Sequence, residues 1–269
     1  MADEPRGGQE DERGRDRYQV DDEGGGRERS GGIPSFGEPL DGAAGRERPG
    51  CGVPAPREPS SGSTSLDPVP NEGEIRYRER CLAKTGVRFR GDERLLDAGC
   101  GDGGVARLLR PRVAEVVAVD VVPSPAWRAE PGLSFAVADA AKLPFPDAGF
   151  DVVHSKDSLH HMEDPRAALA EYARVLRPGG TLLVIEGNRY NPVFYVHMTR
   201  ALGHEHFTRA DFRGLVSERF PEARFGSFEA HYVPWAGRLL PLQRLVEDVL
   251  ERVPGLDPLL SYNFAVART

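Results

Sequence analysis

The stretch that decides the fold is LLDAGCGDGG, Leu95 to Gly104, a short apolar run that passes through glycines into the segment Gly104 to Arg110, which Pro111 stops. Glycine lets a backbone turn sharply and lets a ligand approach main-chain atoms where any Cβ would collide, so this reads as strand, ligand loop and helix. Gly99, Gly101 and Gly104 satisfy GxGxxG, and Asp120 follows at nearly the distance from which an acidic side chain holds ribose hydroxyls. Taken alone, the match is a weak dinucleotide fingerprint. Charge separates the readings. Asp97 ends the strand and Asp102 lies inside the loop, where a pyrophosphate would nestle against the helix N-terminus. Like charges ~4 Å apart cost on the order of 1 kcal/mol in water and several when partly buried. The loop is therefore expected to disfavour a phosphate dianion and to suit a cation.

Outward from the loop, RLLDAG (Arg94 to Gly99), VVAVD (Val116 to Asp120), LSFAVAD (Leu133 to Asp139), FDVVHS (Phe150 to Ser155) and TLLVIEG (Thr181 to Gly187) read as five strands. Runs that are apolar at nearly every position suit a parallel sheet covered on both faces. Helices are expected at Glu74 to Lys84 and at Pro165 to Leu176. In the second, Asp164 caps, Pro165 fits the first turn, and Leu169, Tyr172 and Leu176 recur at helical spacing before Pro178, Gly179 and Gly180 break it. Farther on, Pro192 to Leu202 reads as a helix, and Thr208 with Asp211 opens a capping box ahead of Phe212, Leu215 and Val216. Two late strands, Arg224 to Val233 and Leu260 to Arg268, enclose the amphipathic Leu239 to Val253. Its acids Glu247, Asp248 and Glu251, with Pro241, favour packing on the sheet over a membrane surface. The expected fold is α/β: a Rossmann-like, doubly wound, mostly parallel seven-stranded sheet with an antiparallel late strand.

The 269 residues carry 35 Lys plus Arg against 42 Asp plus Glu, a net charge of −7. Residues 1–73 hold 16 acidic and 9 basic side chains, 15 of the 31 Gly and 9 of the 23 Pro, so the body from 74 to 269 is neutral. So polar a segment cannot offset its ordering entropy and is expected to be a disordered acidic tail. An RGG at Arg6 to Gly8 offers an RNA-contacting arm, which the surrounding acid opposes. Cys51, Cys81 and Cys100 are odd in number and lack CxxC spacing, which gives neither a disulfide framework nor a zinc site. With no apolar core at the start and no run of eighteen apolar residues, neither a signal peptide nor a spanning helix is expected, and the location expected is cytoplasmic.

Five motifs in order, LLDAGCGDGG, VVAVD, VADAAKLPFPDAGFDVV, LHHMEDP and RVLRPGGTLLV, make Asn71 to Thr269 resemble a class I S-adenosylmethionine-dependent methyltransferase with a methyltransferase type 11 domain. The resemblance is strongest to the small-molecule group that includes the ubiquinone and menaquinone methyltransferases. It implies S-adenosylmethionine as cofactor, whose sulfonium and ammonium agree with the charge of the loop. It also implies that Asp97, Gly99 and Gly101 line the methionine and ribose part, and that Asp120 accepts from both ribose hydroxyls. Val121 would flank the adenine, Asp139 accept from its N6 amine, the Ala140 amide donate to its N1, and Ser155 stand beside the methionine end.

At least one of His160 and His161 should face the acceptor crevice, as a general base or as pocket lining. Tyr190, in the run Asn188 to Pro192, belongs to an acceptor pocket or to a capped turn. His204 and His206 form an HxH without further ligands, so no metal is expected. Cys100 reads as a buried filler, and His231, Tyr232 and Trp235 as core aromatics or pocket lining. The expected activity is methyl transfer to a small-molecule or lipid-like acceptor, with no catalytic residue assigned. RNA (tRNA) methylation and a non-catalytic S-adenosylmethionine-binding scaffold are the alternatives, and a neutral body with an acidic tail offers no basic path for nucleic acid.

Overall fold

The structure, a computed structural model, describes residues 72–192, 195–196, 206–231 and 239–269. The expected tail up to residue 71, most of the expected helix Pro192 to Leu202, His204, Tyr232 and Trp235 lie outside the described residues. Seven strands form one sheet: β1 (Arg94–Ala98), β2 (Glu115–Asp120), β3 (Leu133–Val137), β4 (Phe150–Lys156), β5 (Leu176–Gly187), β6 (Arg224–Phe228) and β7 (Tyr262–Arg268). Their order is β3-β2-β1-β4-β5-β7-β6. Strands β1 to β5 pair in parallel, and β7 runs antiparallel to both β5 and β6. Chain order reverses between β1 and β4, so their carboxyl ends meet where an open α/β sheet leaves its binding crevice.

Successive residues of a strand point to opposite faces, so each nearly continuous apolar run feeds two cores. On one face, α1 (Glu72–Lys84) and α2 (Gly104–Leu109) bury Cys81, Leu82, Ala106 and Leu109 against Leu95, Val116, Val152 and Ile185. On the other, α3 (Pro165–Val175) and α4 (Arg209–Arg219) bury Leu169, Tyr172, Phe212 and Val216 against Leu96, Val117, Val153 and Val184. Both expected caps are made. Asp164 Oδ1 accepts from the Arg166 and Ala167 amides at 3.0 Å, and Thr208 Oγ1 accepts from the Asp211 amide at 3.1 Å.

The structure departs from the sequence reading at several points. Strand β5 begins at Leu176, before the expected Thr181, because Leu176 is already extended (φ −70°, ψ 134°) and pairs with Phe150 ahead of a register shift. Pro178 denies the helix a donor just beyond that point. Strand β6 ends at Phe228, short of the expected Val233. The largest difference concerns α5 (Leu240–Leu250), whose buried side chain is an acid, Glu247. Glu247 pairs with Arg80 of α1 at 2.7 Å, Asp248 with the same guanidinium at 2.7 Å, and Glu251 with Lys84. Leu242, Leu245, Val246 and Val249 face outward. The helix is held to α1 by its carboxylates, not to the sheet by its apolar stripe. Among the described residues, no helix is long and apolar enough to cross a membrane.

Replacing Asp164 by Ala removes the acceptor for two orphan amides of α3. The urea midpoint should fall by the equivalent of about 1 kcal/mol with the m-value unchanged, and an unmoved midpoint would show that the cap contributes nothing.

Candidate active site

The ends of β1 and β4 set the centre of the site. Asp97 and His154 are register partners on the two strands. With a period of two, Asp97, His154 and Lys156 share the α1 face with Leu95 and Val152. Helix α1 brings Glu74, Tyr77 and Arg78 over them. Together with the loop from Gly99 to Asp102 they enclose a cavity of about 310 Å³.

Backbone geometry explains the glycines. Gly99, Gly101 and Gly103 have φ of +73°, +54° and +76°, a region that side chains rarely enter. A Cβ on Gly99 would lie 2.4 Å from the Ser158 Cβ, and one on Gly103 would lie 2.5 Å from the Phe135 ring. At Gly101, by contrast, a Cβ would meet nothing within 4 Å, so the space on that side of the loop is open. The amides of Gly99 and Cys100 both donate to the Val119 carbonyl at 2.9 Å, which ties the loop to β2.

Asp120 closes β2 with both oxygens oriented by backbone: Oδ2 accepts from the Gly101 amide at 2.9 Å and Oδ1 from the Val122 amide at 3.0 Å. Beside it, Val121 and Val137 are each 60 % exposed, an apolar shelf at the ends of β2 and β3. Asp139 is exposed just past β3 and accepts from the Ala141 amide at 2.8 Å, while Ala140 is buried.

Asp102 does not behave as the sequence reading supposed. Its two oxygens take Nη1 and Nη2 of Arg78 at 3.0 and 2.9 Å, and it caps the Gly104 amide at 2.9 Å. Burial alone would raise its carboxyl, but the Arg78 hydrogen bond holds it below the ordinary carboxylate range. Its charge is thus answered from α1. The cavity is nonetheless electronegative, because its lining carries four carboxylates (Glu74, Asp97, Asp102, Asp157) against two cations (Arg78, Lys156). Lys156 forms an ion pair with Asp157 and lies 5.4 and 4.8 Å from the centres of the Tyr77 and Tyr262 rings. Burial would lower its ammonium, yet the Asp157 charge prevails and holds it above the usual lysine range. Asp97 is 2 % exposed; Oδ1 lies 2.7 Å from His154 Nδ1, and Oδ2 has no hydrogen-bond partner. Burial, and then the charges of Asp97 and Asp120, push the Cys100 thiol far up, which keeps it an inert filler.

Ser155 is placed elsewhere. Its side chain lies on the α3 face, fully buried, 2.6 Å from Ser158 Oγ and 3.5 Å from the Tyr172 hydroxyl. The β4 side chains at the cavity are His154 and Lys156, which sequence reasoning passed over. Strand alternation counted from Asp97 across the β1–β4 pair was the signal that could have found them.

Beyond β4, the loop parts two cavities: Asp157 lines the first, and Leu159 and His160 line a second of about 610 Å³ with Met162, Arg189, His206 and Phe207. His160 Nδ1 lies 2.6 Å from Glu186 Oε2, while Glu186 Oε1 accepts from the Ser158 and Leu159 amides at 3.1 and 2.8 Å. Burial pushes the Glu186 carboxyl up, and the His160 hydrogen bond opposes it. The His160 ring lies 4.0 Å from that of His161 and 4.4 Å from that of His206. His161 and Tyr190 are exposed and line neither cavity. The run after β5 is a tied turn, with Asn188 Nδ2 donating to the Pro258 and Leu260 carbonyls at 2.8 Å. His231 pairs with Glu229 at 3.0 Å, near α5. Among the described residues, no three His, Cys, Asp or Glu side chains are grouped to hold a metal ion.

Comparison with known proteins places this geometry. Residues 96–184 match the family described as a methyltransferase domain. An uncharacterized methyltransferase of Mycobacterium bovis is 41 % identical over 100 residues, covering 35 % of this chain and 51 % of that protein. The 27-O-demethylrifamycin SV methyltransferase of Amycolatopsis mediterranei is 41 % identical over 104 residues, covering 35 % and 38 %. Tocopherol O-methyltransferase of Arabidopsis thaliana is 34 % identical over 142 residues, covering 48 % and 41 %. The chain thus spans about half the length of the mycobacterial relative and less of the other two. Among solved structures, an S-adenosylmethionine-dependent methyltransferase from Mesorhizobium loti superimposes with a TM-score of 0.51 at 19 % identity, over 71 % of this chain and 98 % of that one. Phosphoethanolamine N-methyltransferase 2 of Haemonchus contortus, solved with S-adenosyl-L-methionine, gives 0.50 at 20 % identity, over 72 % and 52 %. At these identities the structural likeness is one of fold. The glycine loop, the strand-end carboxylates Asp97, Asp120 and Asp139 and the His160 loop all lie within the residues that match the methyltransferase domain.

Proposed function

We propose that the chain transfers the methyl group of S-adenosylmethionine to a hydroxyl of a small, lipid-like acceptor. The observation that carries this reading is the electronegative cavity, with four lining carboxylates against two cations, beside Gly101, where a side chain would meet open space. Such a cavity repels a dinucleotide's phosphates and attracts a sulfonium nucleoside. Asp97, Gly99 and Gly101 hold the methionine and ribose part, Asp120 the ribose hydroxyls, Val121 a face of the adenine, and Asp139 with the Ala140 amide its edge. Ser155 acts at one remove by fixing Ser158, against which Gly99 packs.

When bound, S-adenosylmethionine supplies an already activated methyl group, so the chain's own contribution is alignment and the exclusion of water. Helix α1 roofs the cavity with Tyr77 and Arg78. A hydroxyl must also lose its proton. We assign that step to His160: its Nδ1–H donates to Glu186, which leaves Nε2 to accept on the side of the second cavity. Two of the similar relatives are named for O-methylation, of a rifamycin and of tocopherol, and the motifs resemble those of the quinone-pathway enzymes, which supports a hydroxyl-bearing, lipid-like acceptor. Cys81 and Cys100 are free thiols, in keeping with a reducing cytoplasm.

Incubation with methyl-labelled S-adenosylmethionine and fractionated cell extract should place label in organic-soluble small molecules; label in RNA, or binding without transfer, would overturn the reading. Calorimetry with S-adenosylhomocysteine separates the parts of the site. Asp120→Ala should weaken binding at least about tenfold, since it removes acceptors for two hydroxyls. Gly101→Ala should lose binding while costing only about 1 kcal/mol of stability. Gly99→Ala should lower the melting temperature itself, because its Cβ has no room. His160→Ala should leave homocysteine-nucleoside binding intact and cut kcat by roughly 10²-fold; an unchanged kcat would remove His160 from the chemistry.

A further inference from the structure

The parallel step from β2 to β3 is made without a helix. A crossover between parallel strands usually lays a helix on the sheet, but the connection Val121 to Gly132 contains only turns, bends and extended chain. In the helix's place Trp127 stacks on Phe135 of β3, with ring centres 5.3 Å apart and planes 15° apart. Phe135 is the ring against which Gly103 packs, so the connection is drawn onto the glycine loop. Two side chains then tie them together. Trp127 Nε1–H donates to the Gly101 carbonyl at 2.8 Å. Arg107 of α2 donates to the Asp102 carbonyl at 3.2 Å and to the Ala126 carbonyl on the other side.

Gly101 is thereby held at both ends. Its amide donates to Asp120 Oδ2 at 2.9 Å, and its carbonyl accepts from Trp127. A glycine has the widest backbone range of any residue, and this one, at φ +54°, has open space where a side chain would pack. Its hydrogen bonds are what fix it. Trp127 does not line the first cavity, so its effect there runs through Gly101.

We propose that Trp127 is a positioning residue for the nucleoside: by holding the Gly101 carbonyl it keeps the Gly101 amide on Asp120, and so presets that carboxylate for two neighbouring ribose hydroxyls. This rests on the S-adenosylmethionine reading above. Without the indole bond Gly101 is free to turn and Asp120 Oδ2 loses a fixed donor. The carboxylate then samples orientations of which few accept both hydroxyls, and the ligand must order it on binding. The loss falls on the ribose, not on the adenine or the amino-acid arm.

The test is calorimetry on the full chain with S-adenosylhomocysteine and its 2′-deoxy counterpart. Trp127→Phe keeps a ring on Phe135 but has no N–H. It should bind S-adenosylhomocysteine about fivefold more weakly and the deoxy nucleoside nearly as the wild type does, so the preference for ribose shrinks. In the Asp120→Ala background the same substitution should cost nothing further, because the group it positions is gone. Trp127→benzothienylalanine, which exchanges the N–H for sulfur within the same ring outline, should repeat both results should the Phe variant fold poorly. The proposal is overturned if loss of the N–H leaves S-adenosylhomocysteine binding normal, if it weakens both ligands alike, or if its cost adds in full to that of Asp120→Ala. A wild type that binds neither nucleoside sinks the S-adenosylmethionine reading as well, whereas wild-type binding that ignores the Trp127 N–H overturns the positioning role alone.

Discussion

Everything above the sheet depends on how closely the turn after β1 approaches the loop after β4. Gly99 faces Ser158 so tightly that a methyl group would lie 2.4 Å from the serine Cβ, and this contact brings two loops of distant sequence into one wall. The parallel pairing of β1 with β4 places the strand ends there, and the switch in chain order leaves the crevice above them. Glu186 tightens the same wall by accepting from the Ser158 and Leu159 amides. The loop after β4 is thereby held on one side by glycine packing and on the other by a buried carboxylate, and it can present Asp157 to one cavity and His160 to the other without moving.

The electrostatic character of the site is a matter of pairing more than of counting acids. Asp102 stands inside the glycine loop, yet its charge is directed to Arg78 and the start of α2, so it adds little to the field at the cavity centre. Lys156 and Asp157 likewise answer each other beneath the tyrosine rings. Asp97 is the lining carboxylate that has only a histidine for company. In an environment of low dielectric, an oxygen left open in this way attracts a cation more strongly than several exposed carboxylates would. Helix α1 supplies both the neutralising arginine and the roof, which makes it part of the site and not merely a cover for the sheet.

Much of this was legible in the sequence because it rests on local rules. The five parallel strands announce themselves as apolar runs, Asp164 and Thr208 as caps, and the glycine loop as a turn that no side chain could follow. What escaped reading depended on partners distant in sequence. Leu239 to Val253 shows a good apolar stripe, but Arg80 and Lys84, more than 160 residues earlier, draw its acids inward and turn the stripe outward. Leu176 fits the helical spacing and is nonetheless extended, because Phe150 offers it a strand partner. Ser155 stands at the tip of β4, where a ligand neighbour was reasonable, but the facing of that tip is set by the register with β1. That register gives the cavity to His154 and Lys156.

Two histidines of this domain make the same bond and are left with different capacities. His160 and His154 each direct Nδ1 to a buried carboxylate, Glu186 at 2.6 Å and Asp97 at 2.7 Å. Glu186 has its second oxygen filled by two backbone amides, so what it adds is to fix the His160 ring. A ring held in this way suits the proton-accepting role proposed for it. Asp97 instead keeps its second oxygen without a hydrogen-bond partner, and no backbone amide shares its charge, so of the two buried carboxylates it is the one whose field is left to act on the cavity it lines.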